Sequence, residues 1–270
     1  MTDQPWNAFM RLQGFARATH GAILNPGASS PDELKAVEAV VAGDYDTGIA
    51  TLEQLEAQHP GSYSVAANLG TTYELKGDNQ RALQWITEDI RRNPASHDGT
   101  EWLHQRILEV KLLLAQDPAW LQRHRVLELD EQQIDVPTYR YQLDGHAYSV
   151  EDIRLALHHQ LMERMLFVKP ADAVVADLLF TYGLVEAHRD VVESALELDE
   201  LAKEYGFASA EVIAAQEESY QRALFRRTMH AWMLGVGAVG VFVVGLYFCY
   251  RRKWFFLSRA AYWDHVIRTR

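Results

Sequence analysis

The sequence contains a single cysteine, Cys249, among 270 residues, which excludes an intramolecular disulfide. A glycine-rich loop that cradles phosphate is also missing, because the closely spaced glycines lie within an apolar run and are expected to serve helix packing. The chain has no G-x-S-x-G segment, so the nucleophile elbow of a serine hydrolase is excluded. We therefore predict a protein that is not an enzyme and has no cofactor. The glycines in question are Gly235, Gly237, Gly240 and Gly245.

Basic residues are scarce in most of the chain and concentrated near its C-terminus. Of 26 Lys and Arg residues, nine lie from Arg222 onward, where Asp264 is the one acidic residue. Residues 1–221 therefore carry 17 basic and 36 acidic side chains. An acidic body of this size repels phosphate backbones, so we predict that the protein does not bind nucleic acid.

One apolar run is long enough to cross a membrane. Residues 231–250 carry no charge, and a helix of about 20 residues rises about 30 Å, the thickness of a hydrocarbon core. We predict a transmembrane helix over 229–250, followed by a basic tail over 251–270. Aromatic residues, which favour the headgroup layer, lie at both ends of the run: Trp232, Tyr247, Tyr250 and Trp254.

The charges beside this run predict its orientation. Three Lys or Arg residues fall within 216–230, immediately before it, and four fall within 251–265, immediately after it. The bias favours a cytoplasmic tail and an extracytoplasmic body. Residues 1–30 hold no apolar stretch typical of a leader, so this interpretation expects a leader beyond the given sequence. A tail-anchored protein with a cytosolic body remains the alternative.

The body repeats itself at a constant spacing. Two turn signals recur at the same interval, namely Gly43-Asp44 with Gly77-Asp78, and His59-Pro60 with Asn93-Pro94. Residues 63–96 resemble a tetratricopeptide repeat (TPR), with a degenerate copy over 29–62. The positions that carry the resemblance are Leu69, Gly70, Tyr73, Ala82 and Pro94.

Small residues at two positions of each copy predict close contact between two helices. In the second copy these residues are Gly70 and Ala82, and in the first copy Ala36 and Gly48. The fold class predicted is therefore all-α, a TPR-like helical-hairpin array over 29–116. About half of the chain resembles uncharacterised bacterial TPR proteins, which are membrane-anchored or exported. This resemblance implies no reaction and no catalytic residue.

The remaining segments complete the predicted organisation. Residues 1–28 form an N-terminal segment, and residues 151–228 form a second helical-hairpin region. Between the two helical regions, residues 117–150 form a linker. Alternating apolar residues followed by Asp144-Gly145 predict a small β-hairpin or an ordered loop in that linker.

Histidines offer the candidates for a metal site, and we predict that none of them binds a metal. His159 and Glu163 share a helix face, but His158 points elsewhere and the order differs from that of zinc hydrolases. His97 and His104 are expected to lack acidic partners at ligand spacing. His124 is expected to lie in a polar linker without such partners.

A concave groove lined by stacked hairpins is the predicted binding surface. The residues expected to face it are Ser64, Ala67, Thr71 and Glu74. The Lys and Asn of carboxylate-clamp TPR proteins are absent at Ala67 and Thr71. Glu33 with Glu74 would favour a basic or polar peptide, and the alternative is that these acids only form a solubilising surface.

The function predicted is that of a membrane-anchored scaffold that holds an unknown partner protein, or further copies of itself. A structural or assembly subunit of a membrane complex, without a groove ligand, is the alternative. A metal-dependent enzyme is the third hypothesis.

Overall fold

A computed structural model describes residues 30–189, 191–251 and 259–268 of the chain. The N-terminal segment 1–28 lies outside the described residues. The described part holds ten α-helices and one two-stranded antiparallel sheet, so the predominantly helical class and the small β-hairpin are confirmed. The described residues divide into two compact units, with the division between Glu217 and Glu218.

The helices are numbered in chain order. The first five are α1 (Pro31–Val41), α2 (Tyr45–Gln58), α3 (Tyr63–Lys76), α4 (Asn79–Arg92) and α5 (Glu101–Gln116). The next five are α6 (Val150–Phe167), α7 (Ala173–Ala187), α8 (Val192–Glu204), α9 (Ala210–Arg251) and α10 (Arg259–Arg268). Strands β1 (Tyr141–Leu143) and β2 (His146–Tyr148) lie between α5 and α6.

The first two hairpins, α1–α2 and α3–α4, are built by the same turn chemistry. Gly43 and Gly77 adopt φ values of +85° and +90°, a left-handed conformation that glycine adopts without steric cost. The following aspartates cap the next helices, since the Asp44 and Asp78 carboxylates each accept a backbone N–H bond of 3.1 Å. The repeated Gly-Asp pair therefore sets each turn and starts each second helix.

Each hairpin contains a glycine at its closest helix contact. A Cβ atom on Gly70 would lie 2.4 Å from Ile86 Cδ1, and one on Gly48 would lie 2.6 Å from Val40 Cγ2. The hairpin α7–α8 has a similar contact, where a Cβ on Gly183 would lie 3.2 Å from the Ala195 carbonyl oxygen. The predicted close approach at Gly70 and Gly48 is therefore confirmed.

The segment between α5 and α6 is packed rather than extended. Its β-hairpin pairs Tyr141 with Tyr148, and Asp144 and Gly145 turn the chain with φ values of +50° and +79°. The turn predicted from the Asp-Gly pair is therefore confirmed. Apolar side chains from this segment join the larger core: Leu121, Val126, Leu127 and Ile134.

Two apolar clusters form the core of the body. The smaller cluster lies between the first two hairpins and includes Leu52, Leu69, Tyr73 and Ile86. The larger cluster joins α5 to α8 and the intervening segment. Helix α6 begins with a capping box, in which Ser149 and Asp152 satisfy each other's backbone amides.

Helix α9 contains the predicted membrane segment. It is long and apolar enough to cross a membrane, and no residue of its most apolar 18-residue window is buried. Gly235, Gly237 and Gly240 do have the spacing G-x-G-x-x-G, but they lie inside this helix, so they form no phosphate-binding loop. The tail residues Arg252 and Lys253 lie outside the described residues.

Candidate functional site

Helix α5 has a large polar residue at the position where the first helices of the two preceding hairpins have a small one. His104 follows Gly70 at the same interval at which Gly70 follows Ala36, so an imidazole stands where α3 has no side chain. His104 Nε2 lies 2.7 Å from a Glu74 oxygen, and its Nδ1 lies 3.1 Å from a Glu101 oxygen. A polar network therefore replaces the apolar contact of the earlier hairpins.

Glu74 on α3 is the centre of this network. It is 8% exposed, and Lys111 Nζ donates to it at 2.7 Å and Arg164 Nη1 at 3.1 Å. Burial alone would raise the pKa of Glu74, but the charges of Arg164, Lys111 and His104 outweigh it and hold this pKa well below its usual value. The carboxylate therefore stays ionised and links α3, α5 and α6.

Glu101 at the start of α5 joins two histidines. His97 Nδ1 lies 2.6 Å from one of its oxygens, and His104 contacts the other. Burial opposes the ionised form, but the two imidazoles lower the pKa of Glu101. Burial also opposes a charged His97, whereas Glu101 raises the pKa of His97 to about 9.

The turn before α5 places His97 in this position. Pro94 follows the end of α4, and a short 3-10 turn covers Ser96–Gly99. Within it, His97 and Asp98 adopt φ values of +48° and +57°, a left-handed conformation uncommon for residues other than glycine. The Thr100 hydroxyl donates to the His97 carbonyl at 2.7 Å and holds the turn.

Asp89 on α4 completes the group. Its side chain is 0% exposed, and neither of its carboxylate oxygens has a hydrogen-bond partner within the described part of the chain. Burial, followed by the Glu101 charge, raises the pKa of Asp89 to about 7. Ligand atoms of Asp89, His97 and Glu101 lie within 4.8 Å of one another.

A cavity of about 200 Å³ opens beside these side chains. Arg164 lines it and has two guanidinium nitrogens, Nε and Nη2, for which no hydrogen-bond partner is found among the described residues. Helices α3, α5 and α6 and the turn before α5 all contribute to its wall. The polar residues that line it include Thr71, Glu74, His97, His104, Lys111, Glu163 and Arg164.

The four predicted groove residues are not presented together. Thr71 and Glu74 line the cavity, whereas Ser64 and Ala67 are buried, at 2% and 4% exposure. Glu33 is buried as well and accepts a hydrogen bond from Asn68. The expectation that Glu33 and Glu74 attract a basic peptide is therefore not supported, because both carboxylates are already engaged inside the body.

The other predicted histidines fall at separate places. His158 Nδ1 lies 3.4 Å from the Tyr182 hydroxyl, on a different side of α6 from His159, as expected. His159 Nε2 lies 3.2 Å from Glu163. His124 is half-exposed, and its nearest acid is Glu128 at 3.4 Å.

The expectation that His97 and His104 lack acidic partners is wrong. Glu101 comes one helical turn after His97 and one turn before His104, so both imidazoles reach it. This spacing is visible in the sequence and could have indicated the group. Asp89 and Glu74 come from other helices, and no local spacing indicates them.

A second cavity, of about 520 Å³, lies at another place on the body. Arg125 stacks against both Phe180 and Phe207 there and forms an ion pair with the buried Asp177 at 3.0 Å. Arg123 pairs with Asp117. These two cations are thus engaged within the chain, and the network around Glu74 and Glu101 remains the stronger candidate site.

No protein-family model matches the chain, and no curated protein matches it significantly.

Proposed function

We propose that the protein is a single-pass, membrane-anchored helical-repeat protein of the TPR type that holds a partner protein, or another copy of itself, beside the bilayer. The observation that carries this proposal is the unburied apolar window of α9, which follows a charged helical-hairpin body. An uncharged run of this length in contact with water would be strongly unfavourable, so a bilayer is the natural surrounding of this segment.

The assignment to the TPR type is supported by the recurring small-residue contact. Three pairs of small residues have the same internal spacing, and a hairpin turn lies between the members of each pair. Arrays of such hairpins have no single catalytic centre in common and generally serve as binding surfaces. The three pairs are Ala36 with Gly48, Gly70 with Ala82, and Gly183 with Ala195.

An extracytoplasmic body with a cytoplasmic tail is the orientation that we propose. It rests on the excess of Lys and Arg after the apolar run. The opposite orientation would carry the basic tail across the hydrocarbon, at about 2.5–3.5 kcal/mol for each charge at the centre of a helix.

A structural subunit that assembles through its membrane helix is the second candidate. The burial of Ser64 and Ala67 favours it, because these residues leave no exposed groove at the start of α3. The two candidates differ in which part of the chain makes the specific contact.

A replacement of the membrane segment separates these two functions. Every residue of 231–250 is replaced by leucine, which keeps the membrane anchor but removes any specific side-chain contact within the bilayer. Partners are then captured by cross-linking in intact cells, with the unaltered full chain as reference. If the same partner is captured, the body makes the contact and the scaffold is supported. Loss of the partner, with the protein still in the membrane fraction, supports assembly through the helix.

A further inference from the structure

Asp89 is a buried carboxylate to which none of the described residues donates a hydrogen bond. It is fully buried, makes no side-chain hydrogen bond among the described residues and lies beside a second carboxylate, that of Glu101. An isolated buried charge is expensive, and buried carboxylates are normally hydrogen-bonded, paired or bound to a metal ion. The Ser96 hydroxyl is close to Asp89, but no hydrogen bond of good geometry joins the two side chains.

The neighbours of Asp89 are metal-ligand types. One imidazole nitrogen of His97, one Glu101 oxygen and one Asp89 oxygen all lie within 4.8 Å of one another. In a tetrahedral site with bonds of about 2.0–2.2 Å, ligand atoms lie about 3.4 Å apart, so movements of about 1 Å would bring these three atoms to one ion. One nitrogen and two carboxylate oxygens suit a divalent first-row transition metal.

A supporting shell is already in place around these three side chains. The second Glu101 oxygen is held by His104, which is itself bound to Glu74 at 2.7 Å. Such outer hydrogen bonds orient the ligands of known metal sites. His97 also lines the 200 Å³ cavity, so a fourth ligand, such as water, has access from that side.

We propose that Asp89, His97 and Glu101 form a binding site for one divalent transition-metal ion, with Zn²⁺ as the best match. The ion displaces the proton between His97 and Glu101, Asp89 binds as the carboxylate, and the protons lost from these groups are released to solvent. The site is formed by the body and does not depend on the proposed scaffold function. It reverses the sequence-based prediction that no histidine of this chain binds a metal.

The test uses the full chain, purified in detergent, stripped with a chelator and dialysed against Zn²⁺, Mn²⁺ or Mg²⁺ in separate samples. We expect about one Zn²⁺ per chain by elemental analysis, and little Mg²⁺, which prefers oxygen ligands alone. The variants Asp89→Asn and His97→Gln should each weaken Zn²⁺ binding at least tenfold. The matched control is Asp199→Asn, another fully buried acid, which should bind Zn²⁺ like the unaltered chain.

Two results would overturn the proposal. The first is an unaltered chain that takes up no stoichiometric metal, which would leave the cluster a purely structural network of ion pairs. The second is Zn²⁺ binding by Asp89→Asn and His97→Gln that equals the binding by the control and by the unaltered chain. This result would place the ion elsewhere. If a variant fails to fold, the test is the visible absorption spectrum of Co²⁺ added to the unaltered chain. Coordination by one nitrogen and several oxygens gives a characteristic absorption, which would support the site. A spectrum of hexa-aqua Co²⁺ alone would contradict it.

Discussion

At the scale of single residues, the body is distinguished by acids placed where its other hairpins carry apolar side chains. Asp199 on α8 follows Gly183 at the same interval at which Ile86 follows Gly70. It is fully buried, and the Gln216 side-chain amide donates to it at 3.2 Å. Burial, followed by the Glu217 charge, raises the pKa of Asp199 to about 8.

This raised pKa predicts a loss of stability as the pH rises. Below the pKa of the unfolded chain, which is near 4, Asp199 is protonated in both the folded and the unfolded state and does not affect stability. Between about pH 4 and 8 only the unfolded chain releases this proton, so unfolding becomes more favourable as the pH rises. We expect Asp199→Asn to differ least from the unaltered chain near pH 4 and to gain a further stability advantage of at least about 1–3 kcal/mol by pH 8.5. Thermal unfolding of the full chain in detergent at both pH values measures the difference. An equal shift at both pH values would contradict the assignment.

A second prediction concerns Glu74, whose carboxylate links three helices. Replacement by Gln leaves Arg164, Lys111 and His104 around an uncharged amide, and loss of one partner from a buried ion network costs about 3–5 kcal/mol. We therefore expect Glu74→Gln to lower the free energy of unfolding by about 3 kcal/mol, as measured by chemical denaturation.

The matched control for Glu74→Gln is Asp32→Asn, which removes an exposed ion pair with Lys35. Exposed pairs contribute little, so its effect should stay within about 0.5 kcal/mol. Similar losses of unfolding free energy in both variants would show that the buried network contributes no more to stability than an exposed ion pair.

At the scale of helices, the short distance between the two helices of a hairpin depends on a glycine, which has no side chain. We expect Gly70→Leu to destabilise the body by about 1–3 kcal/mol or more, because its Cβ alone would lie 2.4 Å from Ile86. The control Ala57→Leu adds a leucine at an exposed position of α2, where it should change stability by less than about 0.5 kcal/mol. Melting curves of both full-length variants make the comparison, and an unchanged curve for Gly70→Leu would remove the close contact between α3 and α4.

The elements themselves follow largely from local sequence. Gly43-Asp44 and Gly77-Asp78 are turn signals whose effect depends on neighbouring backbone groups alone, and both turns are confirmed. The capping box of Ser149 and Asp152 depends on equally local contacts. The burial of two predicted groove residues is different, because it was not indicated by local sequence. Whether Ser64 and Ala67 face solvent depends on what packs over α3, which no local signal specifies.

At the scale of the whole molecule, the proposed topology is open to direct measurement. We expect a reporter that is active only in the cytoplasm to be active when fused after Arg270, because the basic residues after the apolar run favour the cytoplasmic side. Protease added outside spheroplasts should digest the body and spare a fragment that contains the membrane segment. A body that resists protease until the membrane is lysed would establish the tail-anchored alternative.

The sequence by itself determined the helical class, the hairpin boundaries, the β-turn at Asp144-Gly145 and a segment long and apolar enough to span a bilayer. These features depend on periodicity, capping and hydrophobic length, all of which are local. Only the tertiary structure decided the site. Asp89 and Glu74 come from different helices, and the burial that removes solvent from them depends on how α3, α4, α5 and α6 pack, so residues far apart in sequence become one charged cluster.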